Sequence, residues 1–236
     1  MAAGIEQSRP TCLTTRKVAD CSVYLLGCLQ IVIVMPEQAT TRKLPAGTSS
    51  AKVSAKREAL LSTAQELFAR QGYRAVGIDT LLAEAGVAKM TLYKQFGSKE
   101  ELIAAVLERL AGEITSSLAA RLATATGGSH GRILAVFDWL ADWVRSPAFH
   151  GCLFIKAASE YPEPGERPRQ TADAFKAGCR ELLEGQCREL GIAEPQRLAR
   201  QLHLLLEGAL VLSFLERDPQ AATHARDAAA VLLAAA

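Results

Sequence analysis

A chain of 236 residues that is 49% apolar and 22% charged has enough apolar material for a packed core and too even a composition for a disordered or fibrous protein. Aromatic residues make up only 6%, while alanine and leucine abound, which favours helices over strands and makes an all-α fold the first expectation. The net charge of +2 is unevenly spread: ten basic and four acidic side chains lie between Arg42 and Lys99, so the remainder is net acidic and the basic part is the candidate contact for a polyanion.

Residues 22–35, SVYLLGCLQIVIVM, are almost wholly apolar and follow Arg16 and Lys17, the order found in a secretory signal. The run falls short of the roughly 20 residues of a membrane span, and Met35-Pro36-Glu37 rather than a small-x-small cleavage site comes next. Three readings stay open: a true start at Met35, a real but weakly ordered extension, and a membrane-associated segment. Residues 1–50 are therefore set apart from the folded part.

From Ala51, the residues Leu60, Leu61, Ala64, Leu67 and Phe68 recur at helical spacing as far as Gly72. Asp79 to Ala85 and Lys89 to Phe96 read as two short helices, broken at Gly86 and Gly97. Ser98 caps the next helix, and Glu101 three residues on gives a capping box. That helix carries Leu102, Ile103, Val106, Leu107, Leu110, Ile114 and Leu118 and runs past Arg121 to Gly127-Gly128. Helical stretches follow near 130–145, 152–159, 167–190, 195–216 and 220–235, with the Pro- and Gly-rich YPEPGERP as a loop. No segment alternates with period two for long enough to be a strand.

Two short helices around a tight Gly-containing turn form a helix-turn-helix pattern. A helix in the major groove meets base edges that differ in donors and acceptors. Lys89, Thr91, Lys94 and Gln95 on the second short helix are of the types that read bases, while Tyr93 and Lys99 are placed for backbone phosphates. A helical hairpin with a solvated charged face is the alternative that spacing alone leaves open.

The run from Gly72 to Glu108 resembles the head of the tetracycline-repressor (TetR/AcrR) family at Gly72-Tyr73, Ala85-Gly86-Val87, Thr91-Leu92-Tyr93, Phe96 and Ser98-Lys99-Glu100-Glu101-Leu102. The resemblance implies an all-helical homodimer. Its DNA-binding head would be a three-helix unit at 51–97, and its ligand-binding and dimerisation body would be helical and span 98–236. It also implies DNA contacts by Thr91, Tyr93 and Lys99. Gly77 stands where many members carry a capping Ser or Thr, which leaves one phosphate contact missing or supplied by Thr80. Lys94-Gln95 replaces the commoner Arg-His pair.

Gly151-Cys152-Leu153-Phe154 through Glu160-Tyr161-Pro162 is similar to a body segment of one branch of the family. The candidate pocket residues are Phe137, Trp139, Trp143, Phe149, Cys152, Phe154, Lys156 and Glu160. Ordinary core is the competing reading for the aromatics, and an exposed ion pair for Lys156 and Glu160, four apart. Of the six cysteines, none has metal-ligand spacing, and reduced core thiols compete with a redox-sensing pair. Residues 198–215 are apolar on more than one face, which fits a homodimer on a palindromic DNA operator. No catalytic motif, metal or cofactor is expected. The expectation is a cytoplasmic dimeric repressor, released from its operator by an unknown small-molecule effector; a helical interaction protein and a membrane-tethered regulator are the rivals.

Overall fold

The computed structural model describes residues 49–236, with side chains from residue 55 onward. The apolar run at 22–35, the alternative start at Met35 and the arm after it, up to residue 48, lie outside the described residues. Among the described residues the chain forms nine helices and no strand. They are α1 (Ser49–Gln71), α2 (Ile78–Ala85), α3 (Lys89–Phe96), α4 (Lys99–Ala123), α5 (Gly128–Val144), α6 (Leu153–Glu160), α7 (Arg167–Glu189), α8 (Pro195–Leu215) and α9 (Gln220–Ala234).

Local chemistry explains the breaks. Gly86 ends α2 with φ of 62°, and the following Val87 N–H turns back to the carbonyl of Leu82 at 3.1 Å. A side chain at that left-handed position would be strained. Ser98 caps α4 as expected, its hydroxyl accepting from the Glu101 N–H at 3.1 Å. The reciprocal half of the capping box is not made. The Glu101 carboxylate is turned instead to the Arg167 guanidinium on α7, 3.5 Å away, a charged partner stronger than one backbone amide. Proline in the first turn starts both α7 and α8, where a missing N–H costs nothing.

In the head, Leu60, Ala64 and Phe68 of α1 are fully buried with Tyr73, Leu81 and Leu92. The first turns of α4 add Leu102, Ile103, Val106 and Leu107, all fully buried, as α4 packs on both α1 and α3. Each such side chain contributes roughly 1.5–3 kcal/mol on leaving water. Further along, α4 packs on α5 and α7, so one helix serves both parts. The body is built on α7, α8, α9 and α5, with α6 lying on α7. There Phe154 stacks on Phe175, ring centroids 3.9 Å apart at 13°. By length and composition α8 is apolar enough to cross a membrane, but here it packs against α7, α9 and α5.

Candidate nucleic-acid interface

Leu92 is fully buried and pins α3 to the head, which fixes what the rest of that helix can present. Lys89 and Lys94 are exposed, Tyr93 is 42% exposed, and Thr91 and Gln95 are half-buried. Thr80 is exposed on α2, and Gly77 caps that helix without any side-chain bond. Lys89 lies 3.8 Å from Asp79, both well exposed, a contact of little energy. Ala88 caps α3 without a side-chain acceptor, so the first N–H groups of α3 remain open to an anion. Lys99 is half-buried at the start of α4. Burial weakens its ammonium, only partly offset by the nearby Glu100 and Glu160 carboxylates.

Met90, 77% exposed, is a residue that the pattern of charges does not single out. Its position four before Lys94 puts both on the face opposite Leu92, so the phase of that buried leucine was the available signal. On the side of the head, Arg57 of α1 lies over the Phe96 ring at 5.1 Å.

The body holds a small cavity of about 70 Å³ between α4, α5, α6, α7 and α8. Trp139, Trp143, Cys152 and Phe154, four of the candidate pocket residues, line it. Four other candidates do not. Phe137 is fully buried in the core. Phe149 stands edge-on behind Trp143, centroids 5.4 Å apart at 81°. Lys156 and Glu160 point away from the cavity and neither lines it nor forms an exposed ion pair with the other. Lys156 Nζ donates to the Ala69 carbonyl at 2.6 Å, and the Glu160 carboxylate accepts from the Tyr73 and Arg74 N–H groups at 3.0 and 2.6 Å. Both face the head, where the α1–α2 junction offers unpaired backbone groups, whereas the polar groups on the cavity wall, Lys176, His203 and Glu207, are engaged with one another.

On the wall of the cavity stands a polar group that sequence reasoning missed, Lys176, His203 and Glu207. Lys176 Nζ meets both Glu207 oxygens, at 2.6 and 2.8 Å, and His203 Nε2 lies 3.2 Å from Glu207 Oε1 at an angle poor for a hydrogen bond. Burial works against the Glu207 charge, but His203 and Lys176 outweigh it and hold the carboxyl below its usual range. Burial likewise opposes the Lys176 charge, and Cys152 and Glu207 outweigh it, so its ammonium is held above the ordinary lysine range. The i, i+4 pair His203–Glu207 inside an otherwise apolar helix was the signal for this group. Cys179, also on the lining, is pushed up to about 11, first of all by burial.

Comparison with known proteins agrees with this architecture. A family model for bacterial regulatory proteins of the tetR family matches residues 60–106. A second, for a tetracyclin repressor-like C-terminal domain, matches residues 129–229. The HTH-type transcriptional repressor NemR of Escherichia coli is 30% identical over 171 residues, 69% of this chain and 85% of that protein. The HTH-type transcriptional regulator YjdC of Escherichia coli is 26% identical over 162 residues, again 69% and 85%. Among solved structures, SCO4454, a TetR-family transcriptional regulator from Streptomyces coelicolor, superposes with a TM-score of 0.72 at 30% identity, over 77% of this chain and 95% of that one. An all-helical chain with a helix-turn-helix head, matched in both head and body, belongs to the TetR family of DNA-binding transcriptional regulators.

Proposed function

We propose that this regulator is a dimeric repressor released from a palindromic operator by a small apolar effector. The observation that carries the reading is the outward face of α3, where Lys94 stands opposite the buried Leu92 with Tyr93, Thr91 and Gln95 beside it. Lys89, Thr91, Lys94 and Gln95 read base edges, with Met90 available for a thymine methyl. Tyr93, Lys99 and Thr80 hold phosphates. Residues 51–97 serve as the head and 98–236 as the body.

The homodimer forms through α8 and α9. Leu204 and Leu215 of α8 and Val231 of α9 are about 70% exposed, and Phe214, whose ring lies under the Lys156 ammonium at 5.4 Å, is 46% exposed; together they form an apolar ridge. Two such ridges make a four-helix interface. A two-fold dimer presents two equivalent heads, which a palindrome meets with two equivalent half-sites. Although Lys176, His203 and Glu207 stand on its wall, the surface that faces the cavity is almost wholly apolar, so the effector is a small apolar or aromatic molecule. The reading places the protein in the cytoplasm, where DNA is, and includes no enzymatic activity, in keeping with relatives named as regulators.

The test is selection of bound duplexes from a random-sequence pool, followed by footprinting and a salt titration of the enriched sequence. A palindromic footprint with affinity falling steeply in salt is expected. An enriched sequence without two-fold symmetry, or no enrichment, sinks the proposal.

A further inference from the structure

We infer that Glu160 and Lys156 are positioning residues for the DNA-reading head, holding the α1–α2 junction from α6; the inference rests on the reading above that α3 contacts DNA. Among the described residues, every hydrogen bond between residues 55–96 and the helices beyond α4 ends on α6. Two charged side chains supply most of them.

Glu160 Oε1 accepts from the Tyr73 N–H at 3.0 Å and Oε2 from the Arg74 N–H at 2.6 Å. Its backbone carbonyl accepts from Arg74 Nε at 2.7 Å. Lys156, one helical turn back, donates to the Ala69 carbonyl at 2.6 Å. That carbonyl belongs to the last turn of α1, where no further N–H follows in the helix to satisfy it. A carboxylate thus meets backbone donors on one side of the junction and an ammonium meets a backbone acceptor on the other. Charge-assisted bonds of this kind are roughly twice as strong as neutral ones.

The approach is tight enough to constrain sequence. A Cβ on Gly72 would come within 2.8 Å of Glu160 Oε1. Phe154, on roughly the opposite face of the same short helix, lines the cavity and stacks on Phe175. The element that borders the cavity is therefore the one that fixes the head.

Two variants of the full chain test this: Glu160→Gln and Lys156→Met. A glutamine keeps the shape but has one acceptor oxygen for two amides. Amide exchange at Tyr73 and Arg74 is expected to quicken by about tenfold or more in Glu160→Gln, while exchange in α8 is unchanged. Affinity for a duplex selected by the wild-type chain is expected to fall about fivefold or more in both variants, with an unchanged salt slope because the phosphate contacts remain. The two substitutions change charge in opposite directions. A purely electrostatic effect would raise affinity in Glu160→Gln and lower it in Lys156→Met, whereas lost positioning lowers both. Opposite shifts, or affinities within about twofold of wild type, overturn the inference. So does unchanged exchange at the two amides. If the wild-type chain selects no duplex, the DNA-reading proposal fails, and the exchange measurement still decides the bracket.

Discussion

The Tyr73 hydroxyl donates a 3.0 Å hydrogen bond to the carbonyl of Leu153, tying the head to the first residue of α6. The ring is fully buried between Phe68 and Tyr161, with centroids 5.0 and 6.2 Å away. Burial above all, with Cys152 and Glu160 adding to it, holds the hydroxyl protonated far above the usual tyrosine range, so it stays a donor wherever the fold persists. Tyr73→Phe is expected to cost about 1 kcal/mol in urea unfolding, and Tyr73→Ala about 3–5 kcal/mol. No measurable cost for Tyr73→Phe would mean that the hydroxyl contributes nothing.

Base reading and phosphate holding separate by salt. Lys99→Ala is expected to weaken binding to all duplexes alike and to lower the salt slope by about one. Gln95→Ala is expected to keep the slope and to relax preference at a base pair, with about 1–3 kcal/mol of discrimination lost. Titrations of matched and mismatched duplexes at several salt concentrations read both quantities.

The Lys176–Glu207 pair has a pH signature. Glu207 has a lowered folded pKa, so its contribution is present above the ordinary carboxylate range and is lost as pH falls below about 4.5. Lys176 has a raised folded pKa, so its contribution is present below about 10.5 and is lost as pH rises through the folded value. Glu207→Gln is expected to lose up to about 3 kcal/mol near neutrality, by leaving a half-buried ammonium without its partner. The Tm gap to wild type should be widest near neutral pH and close at both extremes. A gap independent of pH would assign the loss to packing alone.

Cys179, with its thiol pushed up to about 11, carries almost no thiolate at neutral pH. Iodoacetamide should label it slowly in the native protein and rapidly once urea unfolds the chain. Fast labelling of the native state would show that the body opens far more often than its packing implies.

Replacing Leu204, which is 71% exposed on α8, by Glu is expected to shift the sedimentation equilibrium toward monomer with little change in helix content. Retention of the dimer would place the interface elsewhere than α8 and α9.

The helix order and breaks were legible in the sequence because glycines and prolines stand where the backbone turns, as Gly86 and Pro195 do. Leu92 and its neighbours made the head legible too. The role of α6 was not. Lys156 and Glu160 are four apart, a spacing that looks the same for a surface ion pair, a pocket lining and a grip on another helix. Only the fold brings them to Ala69 and Tyr73, each 87 positions away in the chain. Phe137 stays ambiguous in the sequence for a related reason, since a buried aromatic has the same periodicity whether or not a cavity lies beside it.

The dual membership of α4 bears on how this molecule can be cut and recombined. Its opening turns close the floor of the head with Leu102, Ile103, Val106 and Leu107, while its far end packs on α5 and α7. A fragment ending at Gly97 would keep the side chains of α2 and α3 yet lose Lys99 and have an open hydrophobic floor. A chimera that exchanges heads between relatives needs its joint beyond Leu107, past the last of these buried side chains.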